Sequence, residues 1–273
     1  MFGNLAESFR DHVYEDFDNE TCRRCYQEVR SSKRTLSRPQ PFPYVGSNFY
    51  DSEKRLMFIG IESYSNQNRK SIEDLEPNIF ETEQVERLYF GKKESGIKYS
   101  PFWQWVRVIS TEILAPKNLD KDNKLKYAFT RIAYSNLHKC QNRKENSSPN
   151  KSTYQLLKTL SWNCIKDARW IYREIDAIKP KHIIVFAGSK RLGTRDFFLA
   201  RLFSKHEEKK IKTYKYANQS RKKKRKGKDF ILKKKDDEKK FIVTNHPQGT
   251  PTEIRTEIIR IIKENNWEDA EKL

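Results

Sequence analysis

Arg55-Leu-Met-Phe-Ile-Gly60 is an apolar run closed by a glycine, the form taken by a parallel strand that is buried on both faces and delivers a functional loop. The same grammar returns at His182-Ile-Ile-Val-Phe-Ala-Gly188 and, less regularly, at Phe129 to Leu137 and Phe241-Ile-Val-Thr244. Four core strands are therefore predicted. Helical periodicity fills the intervals, over Phe102 to Leu114, Tyr154 to Lys179 with Pro180 as its stop, Arg191 to Phe203, and Glu253 to Asn265. Strands alternating with helices give an α/β class, here a three-layer α/β/α sandwich around a central four-stranded parallel sheet. Sites in such sheets lie at the carboxyl ends of the strands. Those ends carry Gly60-Ile-Glu-Ser-Tyr64, Asn136, Gly188-Ser189 and Asn245-His-Pro247.

With 273 residues the chain can bury one large core, and a single domain over 1–273 is expected. It begins with a helical segment and a cysteine pair within 1–30, where Phe2, Leu5, Phe9, Val13 and Phe17 recur at three or four, and a Pro-rich link follows at Pro39 to Pro43. No apolar run approaches the roughly 18 residues of a membrane span, and the acidic amino terminus lacks a secretory core. A cytoplasmic monomer without a membrane partner is the expectation. The formal charge of +19 calls for a polyanionic partner, for which nucleic acid is the usual choice. Between Lys205 and Lys240, 17 Lys and Arg stand against 6 Asp and Glu. This basic insertion, about 205–240, reads as a flexible arm whose dense part holds Lys222, Lys223, Lys224 and Arg225.

The only cysteines are Cys22, Cys25, Cys140 and Cys164. A Cys-x-x-Cys pair grips one metal centre, and four soft sulfurs suit either zinc or an iron-sulfur cluster. In a reducing compartment this pattern favours metal ligation over disulfides, with a redox pair as the other possibility.

Taken in order, the strand ends resemble the uracil-DNA glycosylase superfamily. Its first motif is a Gly-led loop with a carboxylate or amide after strand one, and its last is a His-Pro at the end of strand four. Between them members place an aromatic that stacks on the base and a strand Asn that reads the pyrimidine edge. Ser100-Pro-Phe-Trp-Gln-Trp105 and Asn136 resemble these. The resemblance covers roughly residues 40 to 270, apart from the basic insertion. The order of the four cysteines resembles that of the thermophile-type branch, which holds a 4Fe-4S iron-sulfur cluster, although the 23 residues between Cys140 and Cys164 exceed that branch's usual gap. Zinc is the alternative occupant. In the catalytic loop, Gly60, Glu62 and Tyr64 are spaced as in the principal uracil-excising branch, while Ser63 and Ser65 replace its proline and histidine. The mixed pattern implies a divergent member.

The resemblance implies a monofunctional DNA glycosylase that flips a base out of the helix and hydrolyses its glycosidic bond, leaving an abasic site. Glu62 would position or deprotonate water and stabilise the cationic sugar, and His246 would donate to the pyrimidine oxygen. Gly60, Ile61, Tyr64, Phe102, Trp103 and Asn136 would bind the base, with Tyr64 against the pyrimidine C5. Ser189, Asn245, Gln248 and the lysine-rich arm would bind DNA, without specifying sequence through the phosphates. The base is uracil or a modified pyrimidine such as a hypermodified phage cytosine, in repair or in antiviral defence.

Taken one at a time, these residues have plainer uses. Phe102 and Trp103 equally suit core packing, Asn136 a strand end, Glu62 the surface and His246 a turn. The rival from another class is a non-catalytic nucleic-acid-binding module on the same fold. A metal-dependent nuclease is disfavoured by the lack of clustered carboxylates, and a redox role by the absence of a nucleotide-cofactor fingerprint.

Overall fold

The computed structural model describes residues 20–31, 35–36, 43–62, 82–90, 100–138, 142–143, 162–167, 169–187, 207–218, 221–233, 239–247 and 250–264. In chain order the elements are α1 (Glu20–Ser31), β1 (Thr35–Leu36), β2 (Tyr44–Val45), β3 (Leu56–Glu62), α2 (Thr82–Phe90), α3 (Pro101–Leu114) and α4 (Lys121–Phe129). Then come β4 (Ile132–His138), β5 (Asn142–Arg143), a π-helical turn (Trp162–Asp167), α5 (Trp170–Ile178), β6 (His182–Phe186), β7 (Glu207–Asn218), β8 (Arg221–Lys233), β9 (Lys240–Thr244) and α6 (Thr252–Lys263).

The chain is α/β, with a seven-stranded mixed sheet in the order β2-β4-β3-β6-β9-β8-β7. Its centre is parallel: β3 pairs with β4 and β6, and β6 with β9. The expectation of four parallel strands thus describes the middle of the sheet and not its edges. Antiparallel β2 borders β4, and the β7–β8 hairpin borders β9. A separate two-stranded ladder joins β1 to β5.

Period-two alternation explains why the central strands are apolar throughout. Met57, Ile59, Ile183, Val185, Phe241 and Val243 enter one core with Trp170, Ile171, Ile175 and Ile178 of α5. Leu56, Phe58, Ile184, Phe186 and Ile242 enter the other, with α2, α3, α4 and α6. Helices therefore cover both faces, and each fully buried large apolar side chain contributes about 1.5–3 kcal/mol. On the α5 face the buried Ser135 hydroxyl donates to the buried Glu174 carboxylate at 2.5 Å, tying β4 to α5.

Several sequence expectations shift. Strand β3 runs two residues past Gly60, so Gly60, Ile61 and Glu62 are strand residues rather than loop. The strand expected from Phe129 starts at Ile132, because Phe129 closes α4, whose amino end is capped by the Asp120 carboxylate accepting from the Asp122 and Asn123 amides. The helix expected over Tyr154 to Lys179 is, where described, a π-turn and α5 separated at Arg169, whose φ of 58° is left-handed. The cysteine pair lies within α1, in the amino-terminal segment expected to be helical. The helix expected over Arg191 to Phe203 and the segment before residue 20 lie outside the described residues.

The basic insertion is also not the flexible arm expected of it. It folds as the antiparallel hairpin β7–β8, whose Phe230, Ile231, Leu232 and Lys233 pair with Val243, Ile242, Phe241 and Lys240. Ile211, Thr213, Tyr214 and Tyr216 in one strand and Phe230 and Ile231 in the other are good strand formers. Ladder pairing onto an existing sheet edge outweighs the repulsion among the lysines. No helix among the described residues is long and apolar enough to cross a membrane.

Gly46 shows how tightly the β2 edge is fitted. A Cβ there would stand 2.3 Å from the Thr130 carbonyl oxygen and 2.4 Å from its carbon, both backbone atoms that cannot turn aside. The Gly46 and Asn48 amides donate across this approach to Ile132 and Thr130. Gly46→Ala is expected to lower stability by about 1–3 kcal/mol, measured as a reduced urea midpoint with unchanged slope.

Candidate active site

The parallel strands lie in the order β4-β3-β6-β9, so the chain moves to one side after β3 and to the other after β4. The topological switch falls between β3 and β6, and the crevice outside their carboxyl ends is where such sheets bind ligands. Gly60, Asn136 and His246 all lie at this end of the sheet, on β3, on β4 and just after β9.

Phe102 reaches the same end from the first turn of α3, where Pro101 fits the first helical position because its missing N–H would have no partner there. Its ring packs against Phe186 at 5.3 Å and Tyr134 at 5.6 Å between centroids. The His246 ring lies nearly parallel to it, at an interplanar angle of 24° and 6.4 Å between centroids. Trp103, next along the helix, is surrounded by Tyr134, Phe102 and Tyr89. Both aromatics are buried, so core packing and the site share these residues.

Gly60 leaves the space in which two of these groups meet. A Cβ there would lie 2.6 Å from Asn136 Oδ1 and 3.4 Å from the Phe102 ring. Asn136 is buried, and its Oδ1 accepts from the Tyr134 hydroxyl at 2.8 Å, which fixes how the amide is turned. Burial pushes the Tyr134 hydroxyl pKa up, so it remains a donor at neutral pH. Gly60→Ala is expected to displace Asn136 and Phe102 together. Misplacement by about 1 Å at a reacting centre can cost on the order of 100-fold in rate, and a crystal structure of the variant would read the displacement of both side chains directly.

Burial also lowers the His246 pKa, to about 4. The imidazole is neutral at pH 7, with one nitrogen donating and the other accepting. Its backbone is held by the Thr250 hydroxyl, which donates to the His246 carbonyl at 2.7 Å, while the Thr250 amide donates to Pro247. Asn245 is buried just before it.

Glu62 is the last residue of β3, and its backbone pairs in register with His138 at the end of β4. Ile61 precedes it, half-buried. Lys222, Lys223, Lys224 and Arg225 lie in β8, on the hairpin. Tyr64, Ser189, Gln248 and Cys140 lie outside the described residues.

Three residues that the motif reading passed over belong to this end of the sheet. Tyr134 orients Asn136. His138 follows Asn136 by two, which places it on the same face by strand alternation, and burial lowers its pKa to about 3. Thr244 ends β9 with a buried hydroxyl that has no hydrogen-bond partner among the described residues. Leaving such a group unsatisfied costs about 1–3 kcal/mol, a cost that a polar ligand edge would remove. The period-two spacing Tyr134, Asn136, His138 was the available signal.

Three of the cysteines share one neighbourhood on the opposite face. Cys22 and Cys25 lie on α1 and Cys164 in the π-turn, and Cys22 and Cys164 pack with the α5-side core. The Cys25 thiol is pushed up by its burial first, then by Cys164, with Cys22 adding to this and Asn163 opposing it as a hydrogen-bond partner. None of the three is in a disulfide. Among the described residues no three His, Cys, Asp or Glu side chains meet at metal-ligand spacing.

No protein-family model matches the chain, and no curated protein matches it in sequence.

Proposed function

We propose that the chain is a monofunctional DNA glycosylase of the uracil-DNA glycosylase type, in which the carboxyl end of the parallel strands excises a flipped pyrimidine. The observation that carries this reading is the meeting of Gly60, Asn136, Phe102 and His246 at one strand end, beside the switch point. These four come from separate parts of the sequence; Phe102, Asn136 and His246 correspond to three distinct needs of base excision, and Gly60 leaves the space in which Phe102 and Asn136 meet.

A base in a duplex is inaccessible, so it must leave the stack, at a cost of a few kcal/mol. Phe102 offers an aromatic face, and stacking returns about 1–3 kcal/mol per base. Asn136, its amide turned by Tyr134, pairs with the pyrimidine edge. On the resemblance, Tyr64 would stand at C5 and admit or exclude a substituent there. Cleavage builds positive charge on the sugar and negative charge on the base. Glu62 stabilises the first and directs water to the anomeric carbon. The neutral His246 donates a hydrogen bond to the base oxygen as it gains charge. Water is the nucleophile, so no covalent enzyme–sugar bond forms.

The cysteines suit a thiolate-bound centre in their chemistry. The Cys25 thiol is pushed up by its burial first and then by the neighbouring sulfurs of Cys164 and Cys22, a repulsion that a bound cation would reverse. With Cys140 they would hold a 4Fe-4S cluster, or zinc, which when bound would fasten α1 and the π-turn to the core.

The reading is tested with duplexes carrying uracil, thymine or a hypermodified cytosine at one position. Alkali-labile sites at that position, with no protein–DNA adduct trapped by borohydride, are expected from at least one of the uracil and modified-cytosine substrates. A borohydride-trapped adduct would replace water with an amine nucleophile, and an absence of labile sites in every duplex would overturn the reading.

A further inference from the structure

We infer that the β7–β8 hairpin is a duplex-DNA-binding ribbon that lies in the major groove to one side of the excised nucleotide. This rests on the reading of the strand ends as a base-excising site. Its starting point is register. Strand β8 runs antiparallel to β9, with Lys233 opposite Lys240 and Phe230 opposite Val243. Residues of β8 before Phe230 therefore continue past Val243, beyond the carboxyl end of β9, and pair among the described residues only with β7. The ribbon leaves the sheet at the edge where His246 follows β9, the same edge that holds Gly60 and Asn136.

Its dimensions and charge point to the occupant. Residues 221–229 make nine strand positions, about 30 Å at roughly 3.3 Å per residue. That length follows about nine base pairs at roughly 3.4 Å each. Between Lys212 and Asp229, the pair that marks the base of the projecting part, nine Lys and Arg stand against one Asp. Arg221 to Lys226 are six consecutive basic positions, divided by strand alternation between both faces of the ribbon. A ribbon basic on one face would suit a flat polyanionic surface. One basic on both suits a groove with a phosphate wall on each side, and the major groove of B-DNA admits a two-stranded ribbon.

The test uses the full chain and two variants. In one, Arg221, Lys222, Lys223, Lys224, Arg225 and Lys226 are all replaced by threonine, which retains strand propensity. In the other, the hairpin is closed at the Lys212–Asp229 pair by an Asn-Gly turn, which preserves the part of β8 that pairs with β9. Affinity is measured against salt on duplexes extended to one side or the other of the target base, and on single strands of equal length.

The intact chain is expected to prefer extension on one side by about nine base pairs. Both variants lose that preference, and their salt slope falls by about 0.9 per lost phosphate contact, with a total drop of at least about 3. Unchanged slopes and footprints in both variants would overturn the inference, as would an equal loss of affinity for single strands. The underlying reading fails separately. A chain that binds one-sidedly through the ribbon but releases no base from any substrate retains the ribbon and removes the glycosylase. A chain whose variants release base with wild-type affinity and footprint does the reverse.

Discussion

Glu62→Gln is expected to reduce base release by about 10²–10⁴-fold, the range for removing a positioned general base, while DNA affinity changes by no more than about twofold. His246→Ala is expected to cost about 10²–10³-fold, as for loss of one donor to a developing anion. The separation of rate from binding is what distinguishes these residues from phosphate contacts, whose removal weakens binding and lowers salt dependence. The pH profile adds an independent check. Because burial holds the His246 pKa near about 4, the rate should show no histidine ionisation between about pH 5.5 and 7.5, near the ordinary value of about 6.5. A rate that falls through pH 6.5 and loses this dependence in His246→Ala would mean that the imidazolium is the working form. The measurement is single-turnover release at saturating protein, so that binding and product departure do not enter.

The second large effect is on stability at low pH. Three histidines are held neutral by burial: His138 with a pKa lowered to about 3, and His182 and His246 each to about 4. In the unfolded chain each returns to about 6.5. Below that value the unfolded state takes up protons that the folded state refuses. The stabilising contribution is complete above about pH 6.5 and declines as pH falls toward about 4. Each histidine steepens that fall by up to one proton's worth, about tenfold in the folding equilibrium per pH unit. Urea unfolding at pH 7.5, 6 and 5 should show a steep fall in midpoint. His182 lies at the opposite end of the sheet from the site, where its Nδ1 meets the Lys54 carbonyl at 2.7 Å. His182→Asn should therefore flatten the acid dependence by one histidine's share without altering the rate of base release. Equal midpoints at pH 7.5 and 5 would contradict this.

The central strands were legible because burial on both faces leaves no room for polar alternation, so Leu56 to Ile59 and His182 to Phe186 appear as apolar runs. Helices α2 and α4 were not, since Thr82–Phe90 and Lys121–Phe129 mix charge with few apolar positions and gain their order from packing Tyr89 and Phe129 into the core. The hairpin was hidden by its own charge. Lysine density reads as a solvated arm, whereas the short stretch Phe230 to Lys233 finds a complementary edge in β9 that no local pattern discloses. At the site, Gly60, Asn136, Phe102 and His246 were visible as strand-end or helix-start residues. That Asn136 Oδ1 fills the space above Gly60, or that His138 stands opposite Glu62, depends on register between distant strands. Tyr134 and Thr244 looked like ordinary strand residues for the same reason.

The most direct measurement is free-base release by anaerobically purified protein, followed in time on uracil-containing DNA and, in parallel, on phage DNA carrying hypermodified cytosines. The expected result is free base from at least one of the two, appearing in step with abasic sites and abolished in Glu62→Gln. DNA that is bound with strong salt dependence, yet yields no free base from either substrate, would contradict it and leave a nucleic-acid-binding module on this fold.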